Sequence, residues 1–147
     1  MSEVAAYVAH NDEQRERLQR LIHRLGDDDL LRDVPGTEWS VADTLAHLAF
    51  YDRRAQILME KYVREGVSPS PYDFQTLNDA LPHLTRLIPP RAIAEEALAA
   101  AVAADEAATA ISETLLAEIR ARNEVNPDRG VHRKNHLDDI EPMFAVG

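Results

Sequence analysis

Cysteine is absent from this chain, which excludes disulfide bonds, thiolate metal ligands and a cysteine nucleophile. Aromatic residues are scarce as well, at 5% of the 147 residues. A β-sandwich of this length would need more aromatic and β-branched side chains in its core. Alanine is abundant instead, and 45% of the residues are hydrophobic, so closely packed helices are favoured over a sheet.

Basic residues are also few, since 16 lysines and arginines stand against 26 aspartates and glutamates, a formal net charge of −10. A domain this acidic repels phosphate backbones, so we expect no binding to nucleic acid. The most apolar stretch, residues 97–111, is interrupted by Asp105 and Glu106 and is too short to span a bilayer. No signal peptide is visible, and together with the lack of cysteine this predicts a cytoplasmic protein with no membrane partner.

The length corresponds to a single domain, residues 1–147. Apolar residues recur at intervals of three and four in four segments, which predicts four principal helices. Ser40 and Asp43 form a capping-box pair that begins the second of them. We therefore predict an all-α fold, most simply a four-helix bundle. The predicted helices cover residues 3–25, 40–66, 89–120 and 129–141.

Residues 67–88 form a long connection between the second and third helices. A short helix over residues 78–87, interrupted by Pro82, fits its sequence. Two interpretations are open. Long connections in compact bundles are often functional, for instance as a flap over a pocket. The connection could equally be a plain crossover linker.

Three histidines carry the strongest chemical signal. His132 and His136 lie four residues apart, so on a helix their imidazoles project from one face, one turn apart. That face is the only apolar one of the last helix, and His47 lies beside the apolar stripe of the second helix. A buried imidazole without a partner costs about 1–3 kcal/mol. A divalent metal would remove that cost by binding one lone pair from each neutral ring.

Three nitrogen ligands with open positions for water are typical of a catalytic metal site. The ligand set suits zinc, nickel, cobalt or iron, and we favour zinc or nickel. Water bound to the metal, with its pKa lowered toward about 7, would be the nucleophile, and no acid–base side chain is assigned. The spacing of His132 and His136 alone is a weak motif, and no glutamate stands beside His132, which disfavours a zinc protease.

Three further residues are candidates for lining a pocket. Tyr51 and Arg54 follow His47 by one and two turns on roughly the same side. Arg54 could fix an anionic group, or pack its stem between helices, which is the commoner case. His83, in the long connection, could supply a fourth ligand or an acid–base group, although most lone loop histidines do neither.

The remaining candidates are expected to lie at the surface. His10 and His23 stand among polar neighbours and are predicted to be solvated. Asp138 and Asp139 follow His136, where a carboxylate can orient a ligand ring. A solvated acidic surface on the last turn is the interpretation we favour.

Two of these segments resemble a known superfamily. Residues 39–48, WSVADTLAHL, resemble the second-helix signature of the DinB/YfiT-like four-helix-bundle superfamily, and residues 132–137, HRKNHL, resemble its last-helix motif. Residues 39–54 are closest to the ClbS/DfsB-type and mycothiol-dependent maleylpyruvate isomerase-like branches. The resemblance implies a bundle with a three-ligand metal centre, here at His47, His132 and His136.

The resemblance also implies a class of activity. Characterised members include S-transferases and isomerases that use mycothiol or bacillithiol, and a hydrolase that inactivates a reactive genotoxin. We therefore predict a metal-dependent enzyme acting on a small electrophilic molecule, with an external low-molecular-weight thiol where thiol chemistry is used. Two alternatives are open: a module that binds or sequesters a small molecule without turnover, and a structural bundle with a vestigial metal site. Bundles of this size often pair through helix faces, which is compatible with a homodimer.

Overall fold

The computed structural model describes residues 2–145. Within that range all regular structure is helical, without a strand, and the all-α prediction is confirmed. None of these helices combines the length and the apolar character needed to cross a bilayer. The α-helices are α1 (Glu3–Arg24), α2 (Asp27–Leu30), α3 (Val41–Glu65), α4 (Phe74–Thr85), α5 (Pro90–Thr109), α6 (Glu113–Arg122) and α7 (Gly130–Ile140), and a 3₁₀ helix (Glu141–Phe144) follows α7.

The start of α3 follows from its sequence. The Ser40 hydroxyl accepts a hydrogen bond from the backbone N–H of Asp43, and the Asp43 carboxylate accepts one from the N–H of Ser40, both at 3.0 Å. These bonds satisfy two of the N–H groups that a helix start leaves unpaired. The helix ends at Gly66, whose φ of 85° is a conformation that a side chain disfavours. The capping-box prediction is therefore confirmed.

The prediction of one helix over residues 89–120 is wrong. α5 ends at Thr109, and α6 begins only after Ser112, whose hydroxyl accepts from the N–H of Leu115 at 3.1 Å. The break turns the chain so that Leu116 and Ile119 of α6 become buried. Serine fits within a helical pattern but is also a good N-cap, so the periodicity of the alanine-rich sequence concealed the break.

The helices enclose two apolar cores. α3 packs along α5, and α1 packs against both α5 and α7. The alanines of α5 present a slim surface, which allows α3 to approach closely. One core lies around Leu18, Leu45 and Ile140, and the other around Tyr62 and Ile119. The fully buried alanines of α5 are Ala94, Ala97, Ala100, Ala101, Ala104 and Ala108.

The close approach of α1 and α7 depends on a glycine. A Cβ atom on Gly130 would lie 2.8 Å from Nδ1 and 2.9 Å from the carbonyl oxygen of His10. The prediction that His10 is solvated is wrong, because its ring is half-buried and its Nδ1 lies 2.7 Å from Oδ1 of Asp128. His23, in contrast, is exposed as predicted.

The long connection contains α4, which begins earlier than predicted. Asp73 caps the helix, and the helix continues through Pro82 without the predicted interruption. No residue of α4 is buried, so this helix lies on the surface of the protein. Two contacts hold it against α3: the Tyr51 hydroxyl donates to Oδ1 of Asn78 at 2.9 Å, and Arg86, at the C-terminal end of α4, pairs with Asp43 at 3.1 Å.

Candidate metal centre

The three histidines converge in the folded chain. Nε2 of His47 lies 2.9 Å from Nε2 of His132. The ring centroids of His47 are 4.8 Å from those of His132 and 4.9 Å from those of His136, and the two rings of α7 are 4.9 Å apart. One nitrogen from each ring can be chosen so that all three lie within 4.8 Å of one another. Side chains from two distant stretches of chain thus meet at one point.

Local structure explains why the rings point toward each other. His47 lies on the second turn of α3, just after its capped start, and is buried. On α7 the innermost positions are taken by Arg133, Leu137 and Ile140, all fully buried. His132 and His136 lie on the adjoining side of α7, half-buried, where they face α3. The apolar stripe of α7 therefore orients both rings.

All three rings are neutral at pH 7. The pKa of His47 is lowered from 6.5 to about 4, mainly by burial and to a smaller extent by the neighbouring His136. The pKa of His132 is lowered to about 2, mainly by burial, and the positive charge of Arg129 acts in the same direction. Burial also lowers the pKa of His136. A neutral imidazole offers a free lone pair, which is the form that a metal ion binds.

The donor set fits a divalent metal. Imidazole nitrogens bind zinc at about 2.0–2.1 Å, which places two ligands about 3–3.4 Å apart at usual angles. The 2.9 Å between the Nε2 atoms of His47 and His132 is close to this range. The other pairs of ligand nitrogens lie within 4.8 Å, so a small rotation of the rings would bring all three nitrogens to the distances that one ion requires. Nδ1 of His47 is buried and has no hydrogen-bond partner among residues 2–145. One nitrogen of this ring is therefore left without a partner, whereas the other, Nε2, lies within hydrogen-bonding distance of His132.

Two sizeable cavities adjoin the three rings. The first, here called the histidine cavity, has a volume of about 250 Å³ and contains His47 and His132. The second has a volume of about 330 Å³ and contains His136 and Trp39, whose ring centroid is 4.9 Å from that of His47. The other residues lining the histidine cavity are Tyr51, Tyr72, Phe74, Asn78 and Arg129. Because Tyr72, Phe74 and Asn78 come from the long connection, the structure favours the flap interpretation of that segment.

The three pocket candidates lie in different places. Tyr51 lines the histidine cavity, with its ring centroid 4.8 Å from that of His47. Arg54 lines an adjoining cavity, where it stacks over Tyr72 at 4.1 Å and donates to two oxygens of Ser70. His83 is exposed and lines neither cavity beside the histidines. The structure therefore brings Tyr51 to the site but not His83.

The two aspartates after His136 also differ. Asp138 is exposed and pairs with Arg17 and Lys134, both at 2.8 Å, so it lies at the surface in ion pairs rather than beside a ligand ring. Asp139 lines the cavity that contains His136, and its charge raises the pKa of that ring against the effect of burial. A carboxylate beside a ligand ring can strengthen its donor character.

A buried layer of charged side chains lies next to the histidines and was not foreseen from the sequence. Arg133 is 0% exposed and pairs with Asp105 of α5 at 2.7 Å and with Asp52 of α3 at 3.3 Å. Arg129 donates to the other oxygen of Asp52 at 2.9 Å, and Arg15 pairs with Asp105 at 2.6 Å. These residues separate the two apolar cores, and Arg133 directly follows His132 in the chain.

A signal for this layer is present in the sequence. Asp52 falls four residues after Leu48 on α3, and Arg133 falls four residues before Leu137 on α7, so each occupies a position of an apolar stripe. Charges of opposite sign at core positions of two helices indicate a buried pair. The cavity residues Tyr72 and Asn78 carry no comparable signal, because their place depends on how the connection folds back.

The fold and the site together define an all-helical protein with a three-histidine candidate metal centre beside two cavities. A family model described as the mycothiol maleylpyruvate isomerase N-terminal domain matches residues 12–137. This match covers most of the chain, which therefore belongs to that family. The family is DinB-like, so the resemblance seen in the two histidine motifs is confirmed. Comparison with curated proteins and with solved structures gives no match.

Proposed function

We propose that this protein is a metal-dependent, thiol-dependent isomerase or transferase that acts on a small electrophilic molecule. The observation that carries the proposal is the convergence of three neutral imidazoles, within 4.8 Å, beside two cavities, one lined by His47 and His132 and the other by His136. The family is named after an isomerase of maleylpyruvate that uses the thiol mycothiol, and this name supports a reaction between a thiol and an unsaturated small molecule.

The residues of the chain have separate roles in this proposal. His47, His132 and His136 would hold one divalent ion, for which we favour zinc or nickel. The ion would lower the pKa of a bound thiol and so supply a nucleophile at neutral pH. Because the chain contains no cysteine, that thiol comes from an external low-molecular-weight compound. Tyr51, Tyr72 and the other aromatic side chains of the histidine cavity would exclude water from the reacting groups.

The finer features of the architecture belong to the same proposal. We propose that α1, α3, α5 and α7 correspond to the four principal helices of a DinB-like bundle, with α4 as a flap over the site. The contacts of α3 with α5, and of α1 with α5 and α7, support this correspondence. A single domain, a homodimer and a cytoplasmic location stay predictions from the sequence.

Elemental analysis of freshly purified protein tests the metal centre. Wild-type protein should contain about one zinc or nickel ion per chain, and His47→Ala should lose it, because two imidazoles on one helix bind far more weakly than three. His23→Ala is the matched control, since it removes an exposed histidine that lies outside the site. Equal metal content in wild-type and His47→Ala protein would contradict the proposal.

Turnover separates an enzyme from a binding module. Metal-loaded protein should convert an activated cis-alkene, such as maleylpyruvate, in the presence of mycothiol, and NMR of the vinyl protons would follow the product. A ligand-dependent rise in melting temperature without any product would instead indicate a sequestering protein. Metal-free protein whose stability does not change in His132→Ala would indicate a vestigial site.

A further inference from the structure

Arg133 ties α7 to each of the three long helices around it. Its Nη1 and Nη2 donate to the two oxygens of Asp105 on α5, at 2.9 Å and 2.7 Å. Its Nε and Nη2 both donate to Oδ2 of Asp52 on α3, at 3.3 Å. Nη1 also donates to the backbone carbonyl oxygen of Asn11 on α1, and Nη2 to that of Ala101 on α5, each at 3.3 Å. One fully buried side chain thus joins four helices.

Arg133 is also the one buried side chain in the first half of α7. The other buried residues of this helix are Gly130, which has no side chain, and Leu137 and Ile140, which lie in its second half. In the chain, Arg133 stands between the two histidines of α7. A rotation of this half of the helix about its axis would move both rings, and the contacts of Arg133 oppose such a rotation.

The same contacts hold the two histidine-bearing helices at a set separation. Asp52 lies five residues after His47 on α3, and Arg133 directly follows His132 on α7. The ion pair between Arg133 and Asp52 therefore connects the two helices close to the point where the Nε2 atoms of His47 and His132 lie 2.9 Å apart. Direct packing between α3 and α7 is slight compared with that between α3 and α5, so this pair is a main link between them.

Stability alone does not explain an arginine at this position. Removing charges from water is costly, and well-packed apolar residues of similar volume often replace a buried ion pair without loss of stability. Apolar contacts, however, allow a helix to slide or to rotate slightly. A guanidinium is planar and its hydrogen bonds are directional, so bonds to three helices restrict the backbone that carries it far more closely.

We propose that Arg133 is a positioning residue of the metal centre, which holds His132 and His136 opposite His47 by fixing the rotation and the spacing of α7. A metal ion requires its ligand atoms within about 0.2 Å of set distances. Because both histidines of α7 move with their helix, a small displacement of that helix would take two of the three ligands out of place. The inference rests on the proposed metal centre.

A variant that keeps the buried charges balanced separates positioning from stability. Asp105→Leu combined with Arg133→Met removes one negative and one positive charge from the layer. The charges that remain keep their partners, Asp52 with Arg129 and Arg15 with Asp12. The midpoint of urea unfolding of this double variant should therefore stay close to that of wild type.

Cobalt(II) titration of the EDTA-treated full chain at pH 7 measures the affinity of the site. Fluorescence of Trp39, the one tryptophan of the chain, follows binding, because its ring centroid lies 4.9 Å from that of His47. The visible absorption of bound cobalt reports its ligands and geometry. Wild type should bind about one cobalt ion per chain. The double variant should bind cobalt about tenfold or more weakly, the scale of loss seen when groups that support metal ligands are removed.

Two further variants accompany the double variant. Leu116→Ala, in the core around Tyr62 and Ile119, loses stability but should keep the cobalt affinity of wild type in the absence of urea. Arg133→Lys keeps the charge without the planar fork and should also bind cobalt about tenfold or more weakly. It carries the test should the double variant not fold.

Each outcome of the titration has a distinct meaning. Wild-type affinity in the double variant or in Arg133→Lys would overturn the positioning role and leave the metal centre intact. An equal loss of affinity in Leu116→Ala would also overturn it, because lost stability would then explain the effect. Absence of cobalt binding to wild type would refute the proposed metal centre itself, and the positioning role with it.

Discussion

The metal-free protein should lose stability steeply between pH 7 and pH 5 because of the buried histidines. Burial lowers the pKa of His132 to about 2 and that of His47 to about 4, whereas a histidine in the unfolded chain titrates near 6.5. As the pH falls through 6.5, the unfolded chain therefore binds protons that the folded chain does not. Binding of protons to the unfolded state lowers the free energy of unfolding.

The magnitude follows from the same two values. Each ring contributes about 1.4 kcal/mol per pH unit once the pH is well below 6.5 and still above its folded-state pKa. Between pH 7.0 and 5.0 this amounts to about 2 kcal/mol for each of His47 and His132, or about 4 kcal/mol together. The lowered pKa of His136 acts in the same direction. A domain with a total stability of about 5–15 kcal/mol would lose a large fraction of it.

Urea unfolding of EDTA-treated protein, followed by circular dichroism at 222 nm at pH 7.0 and 5.0, measures this loss. In His132→Asn the free energy of unfolding should differ between pH 7.0 and pH 5.0 by about 2 kcal/mol less than in wild type, because the ring that titrates only in the unfolded state is gone. His23→Asn removes an exposed ring and should leave the difference unchanged. The same pH dependence in wild type and His132→Asn would refute the claim that His132 is kept neutral by burial.

Three further substitutions test how the site is supported, each by urea unfolding at pH 7. Arg133→Met leaves two buried carboxylates short of a partner and should cost about 3–5 kcal/mol, whereas Lys134→Ala, which breaks an exposed pair on the same helix, should cost less than about 0.5 kcal/mol. Gly130→Ala should cost about 1–3 kcal/mol despite a better helix propensity, because its methyl group would overlap His10; unchanged stability would mean that α1 and α7 can move apart. Ser40→Ala removes the cap of α3 and should cost about 1 kcal/mol, and no loss would contradict the capping box.

The histidines were predictable because their information is local. A spacing of four residues places His132 and His136 on one side of any α-helix, and the positions of Leu137 and Ile140 show which side turns inward. The capped start of α3 likewise fixes the side on which His47 lies. The spacing of residues in the sequence does not show that α3 and α7 come close enough for the rings to meet, and only the structure shows this.

Arg129 and Asn78 illustrate the information that was missing. Neither belongs to a periodic pattern with His47, yet both line the cavity beside it. Asn78 reaches the site because α4 folds back onto α3, and Arg129 does so because Asp52 holds its guanidinium. Such contacts join residues far apart in the chain, and they form only once the helices have packed.

The sequence by itself determined an all-α protein, the capped start of α3, and three histidines carried on two helices. Hydrophobic periodicity and capping act within one or two turns, so they can be seen in any stretch of chain. The tertiary structure alone decided the break between α5 and α6, the buried charge layer around Arg133, and the arginine that faces the histidine cavity. These depend on which helices become neighbours, and that choice is made by the packing of the whole chain rather than by any one segment.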